Sequence, residues 1–198
     1  LIRSHINNAS ELDWYFAYVR GYIASRPASA SFVRLFGEEP VKDVRLSCCI
    51  DSRRMNAKAP ECRLRLSEMV LMLAECRCHQ GRDSKTLERL NLLRSKKKEG
   101  DWKHTSGTHP AVREDSRIKV DATGKALTPL MQAILDERRK ELFLEGDRWY
   151  ELKRNGRPEW WVISNGLKYT TKAYMYTAPI YKGDVDRDPN MIQNEGYE

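Results

Sequence analysis

No stretch of this chain approaches the roughly 18 consecutive apolar residues that a membrane-spanning helix needs; the longest apolar run, residues 69–74, is far too short. The opening residues, 1–4, contain no Met and begin no series of basic, apolar and small residues, so no signal peptide is read there and the chain is expected to begin in mid-protein. Histidine is scarce, with 4 in the whole chain, and no RNP, helix-turn-helix or zinc-finger pattern occurs. The cysteines Cys48, Cys49, Cys62, Cys76 and Cys78 are odd in number, so they cannot all pair within the chain. Cys76-x-Cys78-His79 raises the question of zinc. Residues 75–80 read as helix, however, where positions i and i+2 point to different faces, and no metal and no cofactor is expected.

A length of 198 residues, 40% of them hydrophobic, suffices for one domain with a sizeable core. The net charge of +7 is spread along the chain and names no partner by itself. The densest basic run, Arg94-Ser-Lys-Lys-Lys98, falls at a predicted helix C-terminus, where cations are favourable against the helix dipole, so no nucleic-acid partner is expected.

The apolar spacing predicts several helices. Residues 11–24 carry Leu12, Tyr15, Phe16, Val19 and Ile23 three or four apart, with Ser10 as N-cap. Residues 64–80 form the clearest helix of the first half, with Leu66, Met69, Val70, Leu73 and Ala74 along adjoining turns and Gly81 at the C′ position. A second helix over 84–96 carries Leu87, Leu90, Leu92 and Leu93, and the short connection makes the two an antiparallel hairpin of tetratricopeptide type. Thr128 caps a further helix that has Pro129 at its first position and runs to Glu145; Gly146 breaks it, and a shorter helix covers 147–154. The strict alternation of Val44, Leu46, Cys48 and Ile50 predicts a short strand over 43–50. Residues 100–125 read as a long surface loop, and residues 157–198 as a turn-rich aromatic tail. The fold class is therefore mostly α, with helix hairpins, irregular loops and a turn-rich C-terminal tail.

Three blocks then stand in order. The first is Leu64-Arg-Leu-Ser-Glu68-Met-Val-Leu-Met-Leu-Ala74-Glu75. The second is Glu137-Arg138-Arg-Lys-Glu141-Leu142-Phe-Leu-Glu145-Gly146-Asp-Arg148-Trp-Tyr-Glu-Leu152-Lys-Arg154, and the third joins Pro179-Ile180 to Asp188-Pro189-Asn190-Met-Ile-Gln193-Asn194-Glu-Gly196-Tyr197. With Asp43-Val44-Arg45 upstream, this order resembles the SusD/RagB family of outer-membrane nutrient-binding lipoproteins. The sequence departs modestly from the family pattern, with Asp184 and Asp186 near a place where Glu is common and Glu195 where Pro is common.

The resemblance implies that residues 1–198 are the C-terminal part of a single domain, with a helical core over about 10–156 and a loop-rich tail over 157–198. It implies a non-catalytic protein that captures a glycan or other nutrient at the cell surface. Its partner would be a TonB-dependent, SusC-like outer-membrane transporter, and its only hold on the membrane an N-terminal lipid anchor not present in this chain. The alternative is a tetratricopeptide-like protein-interaction scaffold with no glycan site of its own.

Glu137, Glu141 and Glu145 recur at i and i+4, so they share a helix face and repel unless cations intervene; Arg138 and Arg148 are spaced to supply them. Paired carboxylates also suit glycoside hydrolysis or di-iron chemistry. The latter uses Glu-x-x-His pairs, which are missing here, and the former needs carboxylates across a cleft, so the expected role is structural ion pairing with no catalytic residue. Sugar binding uses flat aromatic faces beside polar groups, which singles out Trp102 in the long loop and Trp160 and Trp161 after Gly156-Arg157-Pro158.

Overall fold

The computed structural model describes residues 29–36, 43–49, 66–96, 113–115, 117–143, 145–164 and 167–198. The predicted helix over 11–24 and Trp102 lie outside these residues. Among the described residues, seven α-helical segments account for most of the regular structure: α1 Ala30–Arg34, α2 Val44–Cys49, α3 Leu66–His79, α4 Asp83–Ser95, α5 Pro129–Glu141, α6 Asp147–Arg154 and α7 Lys182–Val185. A three-stranded antiparallel sheet of β1 Arg113–Asp115, β2 Trp160–Ser164 and β3 Leu167–Thr171, in the order β1-β2-β3, is set among them. The fold is mostly α.

The α3–α4 pair is the predicted hairpin. Gly81 is at φ 69, and the Gly81 and Arg82 N–H groups donate to the carbonyls of Cys78 (3.0 Å) and Arg77 (2.9 Å). These are the paired bonds by which a left-handed residue closes a helix and turns the chain back. Thr86 on α4 donates its hydroxyl to the Ala74 carbonyl of α3 at 3.4 Å. At the start of α5 the Thr128 hydroxyl accepts from Met131 N at 3.2 Å with Pro129 at the first position, the arrangement that the Thr-Pro pair predicts.

The main core gathers Leu71 and Ala74 from α3, Leu90 and Leu93 from α4, Ile118, then Met131, Ile134 and Leu135 from α5, Leu152 from α6, and Tyr176. Each fully buried Leu or Ile contributes about 1.5–3 kcal/mol. A smaller cluster holds Phe32, Val33, Phe36 and Leu46, with the Phe143 ring stacked on Phe32 at 4.0 Å between centroids.

Four expectations are corrected. Within the predicted surface loop over 100–125, residues Arg113–Asp115 form strand β1 and Ile118 is buried in the main core. Residues Val44–Cys49 form a helix rather than a strand; the consecutive residues Arg45 and Leu46 are both buried, which a two-residue alternation cannot place on one face. The helix entered at Pro129 ends at Glu141, so Glu145 lies in the turn before α6. The buried side of α3 carries Leu71, Ala74 and Glu75, while Leu66, Met69, Met72 and Leu73 are exposed. Glu75 is turned inward because Arg154 on α6 grips its carboxylate with both terminal nitrogens, Nη2 to Oε2 at 2.8 Å.

The tail is more regular than its turn-rich composition suggests, since β2 and β3 form a hairpin and Ala173–Tyr176 is a turn of 3₁₀ helix. Tyr176 anchors it to the body: its ring is buried against Trp149 at 4.7 Å, and its hydroxyl donates to the Pro158 carbonyl at 2.8 Å. Further on, the Gln193 side-chain amide both accepts from Ile180 N (2.8 Å) and donates to Ile180 O (2.9 Å), and Asn194 Nδ2 donates to Ala178 O at 2.7 Å.

Candidate functional site

Two groups of residues stand apart from ordinary packing: a buried charge cluster between helices, and the outward face of the hairpin sheet. The cluster is built on α5. Glu137 is fully buried and meets Arg45 from α2 at 2.5 Å, Arg94 from α4 at 2.8 Å and Lys140 of its own helix at 3.0 Å. Glu141, also buried, accepts from Arg45 Nη1 at 3.0 Å. Arg45 is further fixed by Asp43, whose Oδ1 accepts from its Nε at 2.9 Å. Burial opposes the charge on Arg45, but the Asp43 and Glu137 carboxylates outweigh it and raise its pKa.

On the other side of α5, Arg138 reaches α6, donating to Asp147 at 2.8 Å and lying 3.4 Å from Glu151. Arg148 donates to Glu151 at 2.6 Å. Burial raises the Glu151 pKa, against the opposing pull of Arg148 and Arg138. Arg139 is half-buried; its partial burial and the neighbouring Arg148 charge pull its pKa down to about 9, and it donates to the Ser31 hydroxyl at 3.2 Å.

The carboxylates of this cluster are spent on guanidinium and ammonium partners from four helical segments, which is chemistry of cohesion. Among the described residues no group of three or more His, Cys, Asp and Glu is placed to hold a metal ion. Cys76 and Cys78 carry free thiols, Cys76 exposed and Cys78 partly buried.

The cluster carries a pH dependence of defined sign. Burial works against ionised Glu137, yet Arg45, Lys140 and Arg94 hold its pKa down to about 2, below the ordinary 4.5. Between those values the unfolded chain binds a proton that folded Glu137 refuses, so stability falls on acidification through this window. The shift corresponds to about 3 kcal/mol present above pH 4.5 and lost toward pH 2. Glu151, with its pKa raised, acts above the ordinary value and leaves this window alone. Denaturant titrations at a series of pH values should show a steep acid limb in the native chain and a flatter one in Glu137→Gln; parallel limbs would contradict the assignment.

The hairpin sheet supplies the other group. Successive strand residues face opposite ways, and the adjacent Trp160 and Trp161 are separated accordingly. Trp160 packs against the main core. Trp161 is half-buried on the opposite face, and the Lys168 ammonium of β3 lies over its ring, 5.3 Å from the centroid. Such a contact at an exposed site is worth about 0.5–1 kcal/mol. Trp161 pairs in register with Thr170, and Ile163 with Lys168, so these residues line one side of the β2–β3 ribbon.

Of the three tryptophans singled out in the sequence, Trp160 and Trp161 thus lie on opposite faces of the sheet, and Trp102 is outside the described residues. The structure places Trp161 beside a cation, Lys168, that the sequence reading missed. The signal for it was present: Asn165-Gly166 between the runs 160–164 and 167–171 is the usual dipeptide of a tight hairpin, and a hairpin brings Lys168 diagonally across from Trp161.

A helix hairpin packed on a charge-linked α5–α6 pair, with an aromatic hairpin and a clasped tail, defines a helical binding scaffold. The model of the SusD family matches residues 49–197. The chain belongs to the SusD family, whose members are non-catalytic nutrient- or glycan-binding proteins associated with the outer membrane at the cell surface. The comparison with curated proteins gives no match. Among the described residues no helix is long and apolar enough to cross a membrane.

Proposed function

We propose that this chain binds a glycan without cleaving it and presents it to a TonB-dependent transporter of the SusC type, at the outer-membrane surface of a lipid-anchored protein. The observation that supports this reading is Trp161, a half-buried indole on the outward face of the three-stranded sheet with polar residues Lys168 and Thr170 on the same side. A flat apolar ring with hydrogen-bonding groups at its edge suits the C–H face and the hydroxyls of a pyranose. Trp160, whose ring serves the core, acts as support; Trp102 is a second candidate platform.

Trp161→Ala is expected to weaken binding to whichever glycan of a panel the full chain recognises by about tenfold or more, the scale on which a central aromatic anchor acts, with the melting temperature nearly unchanged. Isothermal titration measures it. Undiminished glycan affinity in Trp161→Ala would remove the platform role, and release of reducing ends by the native chain would overturn the non-catalytic reading.

A second reading, as a protein-interaction scaffold, is favoured by Leu66, Met69 and Leu73, which form an exposed stripe on α3 beside Met72, and by Leu87 and Leu92 exposed on α4. It is distinguished by the same titrations, since a scaffold with no glycan site binds no member of the panel.

A further inference from the structure

Lys168 gives the outward face of the ribbon a sign as well as a shape. We infer that the site at Trp161 selects acidic glycans, pyranose chains bearing carboxylate or sulfate groups, over neutral ones; this rests on the reading of Trp161 as the stacking platform. The Lys168 ammonium lies over the indole, 5.3 Å from its centroid, and among the described residues no carboxylate pairs with it. The nearby Lys172, by contrast, is held by Glu159 at 2.8 Å.

A sugar that stacks on the indole must move the ammonium from its seat over the ring. A neutral pyranose removes the cation–π contact and offers hydroxyls in return. An acidic one gives the displaced ammonium an oxyanion, and the charge-assisted hydrogen bond that forms is stronger than the neutral kind. The net charge of +7 adds a longer-range attraction of the same sign, which salt screens. Lys168 is exposed at a strand position, so substitutions there leave the fold intact.

The test uses matched ligands: oligogalacturonate and oligoguluronate against their methyl esters, in which the charge is removed and the ring retained. Titration of the full chain is expected to show at least one acid form binding about tenfold tighter than its ester, with the preference shrinking as salt rises. Lys168→Ala should weaken acid binding about threefold and Lys168→Glu about tenfold, each by a larger factor than it changes ester binding, so that the acid-over-ester ratio falls. Trp161→Ala should remove both.

Esters or neutral glycans that bind as tightly as the acids, silence of every acidic oligomer, or an acid preference that survives Lys168→Glu would overturn the inference. If neutral binding is still lost in Trp161→Ala, the glycan-binding proposal stands and only the acidic selectivity fails. If Trp161→Ala alters nothing, both fall.

Discussion

Replacing Arg45 by alanine is expected to lower the unfolding free energy by about 3–5 kcal/mol, the usual cost of removing one partner from a buried ion pair. Arg45 is 6% exposed and sits among Asp43, Glu137 and Glu141, the last two essentially buried. Without the guanidinium, Glu141 loses its partner on α2 and Glu137 keeps Arg94 and Lys140 among the described residues. Against a typical total of 5–15 kcal/mol this brings a domain close to unfolding. Urea denaturation measures it, and a change below about 1 kcal/mol would show that the cluster does not hold the helices together. The mechanism has its own control. Arg45→Met combined with Glu137→Gln and Glu141→Gln removes the guanidinium together with the two buried α5 carboxylates, and because neither glutamate is left stranded the triple variant should be more stable than Arg45→Ala.

Gly156→Ala is the other change of large effect, expected to cost about 2–4 kcal/mol. Gly156 follows α6 at φ 78, a conformation that L side chains rarely adopt. A Cβ there would also overlap Val120 Cγ2, and a β-branched valine has little rotameric freedom to give way. Gly81 separates the two causes. Its φ of 69 is similar, but an added Cβ would meet nothing within 4 Å, so Gly81→Ala should cost only about 1 kcal/mol. Val120→Ala in the Gly156→Ala background should recover the steric part alone. Equal destabilisation by the two glycine substitutions, read from denaturant midpoints, would mean that Val120 moves aside without cost.

What the sequence disclosed was local. Gly81 marked the turn of the hairpin, and Thr128-Pro129 the start of α5, because both signals act through their own backbone within a few residues. What it concealed was decided at long range. Arg45 meets Glu141 across 96 positions, and Arg154 meets Glu75 across 79. These pairs draw charged residues into the interior, so the face of α3 that is buried contains Glu75 and the face left outside contains Leu66 and Met69. A count of apolar periodicity assigns those faces the other way round. The same competition turned an alternating segment, Val44 to Cys49, into a helix that presents Arg45 to α5.

The candidate site was half legible. Trp161 was visible as an aromatic residue outside the strong helices, but its separation from Trp160 needed the strand, and its company with Lys168 needed the register. The Asn165-Gly166 dipeptide is the one local mark from which both follow.

The amide of Gln193 does for Ile180 what a neighbouring strand would do, receiving its N–H and supplying its carbonyl with a proton. The end of the chain is therefore closed on itself like a buckle, independent of any sheet edge. Because the entropy of closing a loop rises only with the logarithm of its length, the residues between strap and pin, Tyr181 and Ile192 among them, are free to diverge in number and kind while the fastening holds.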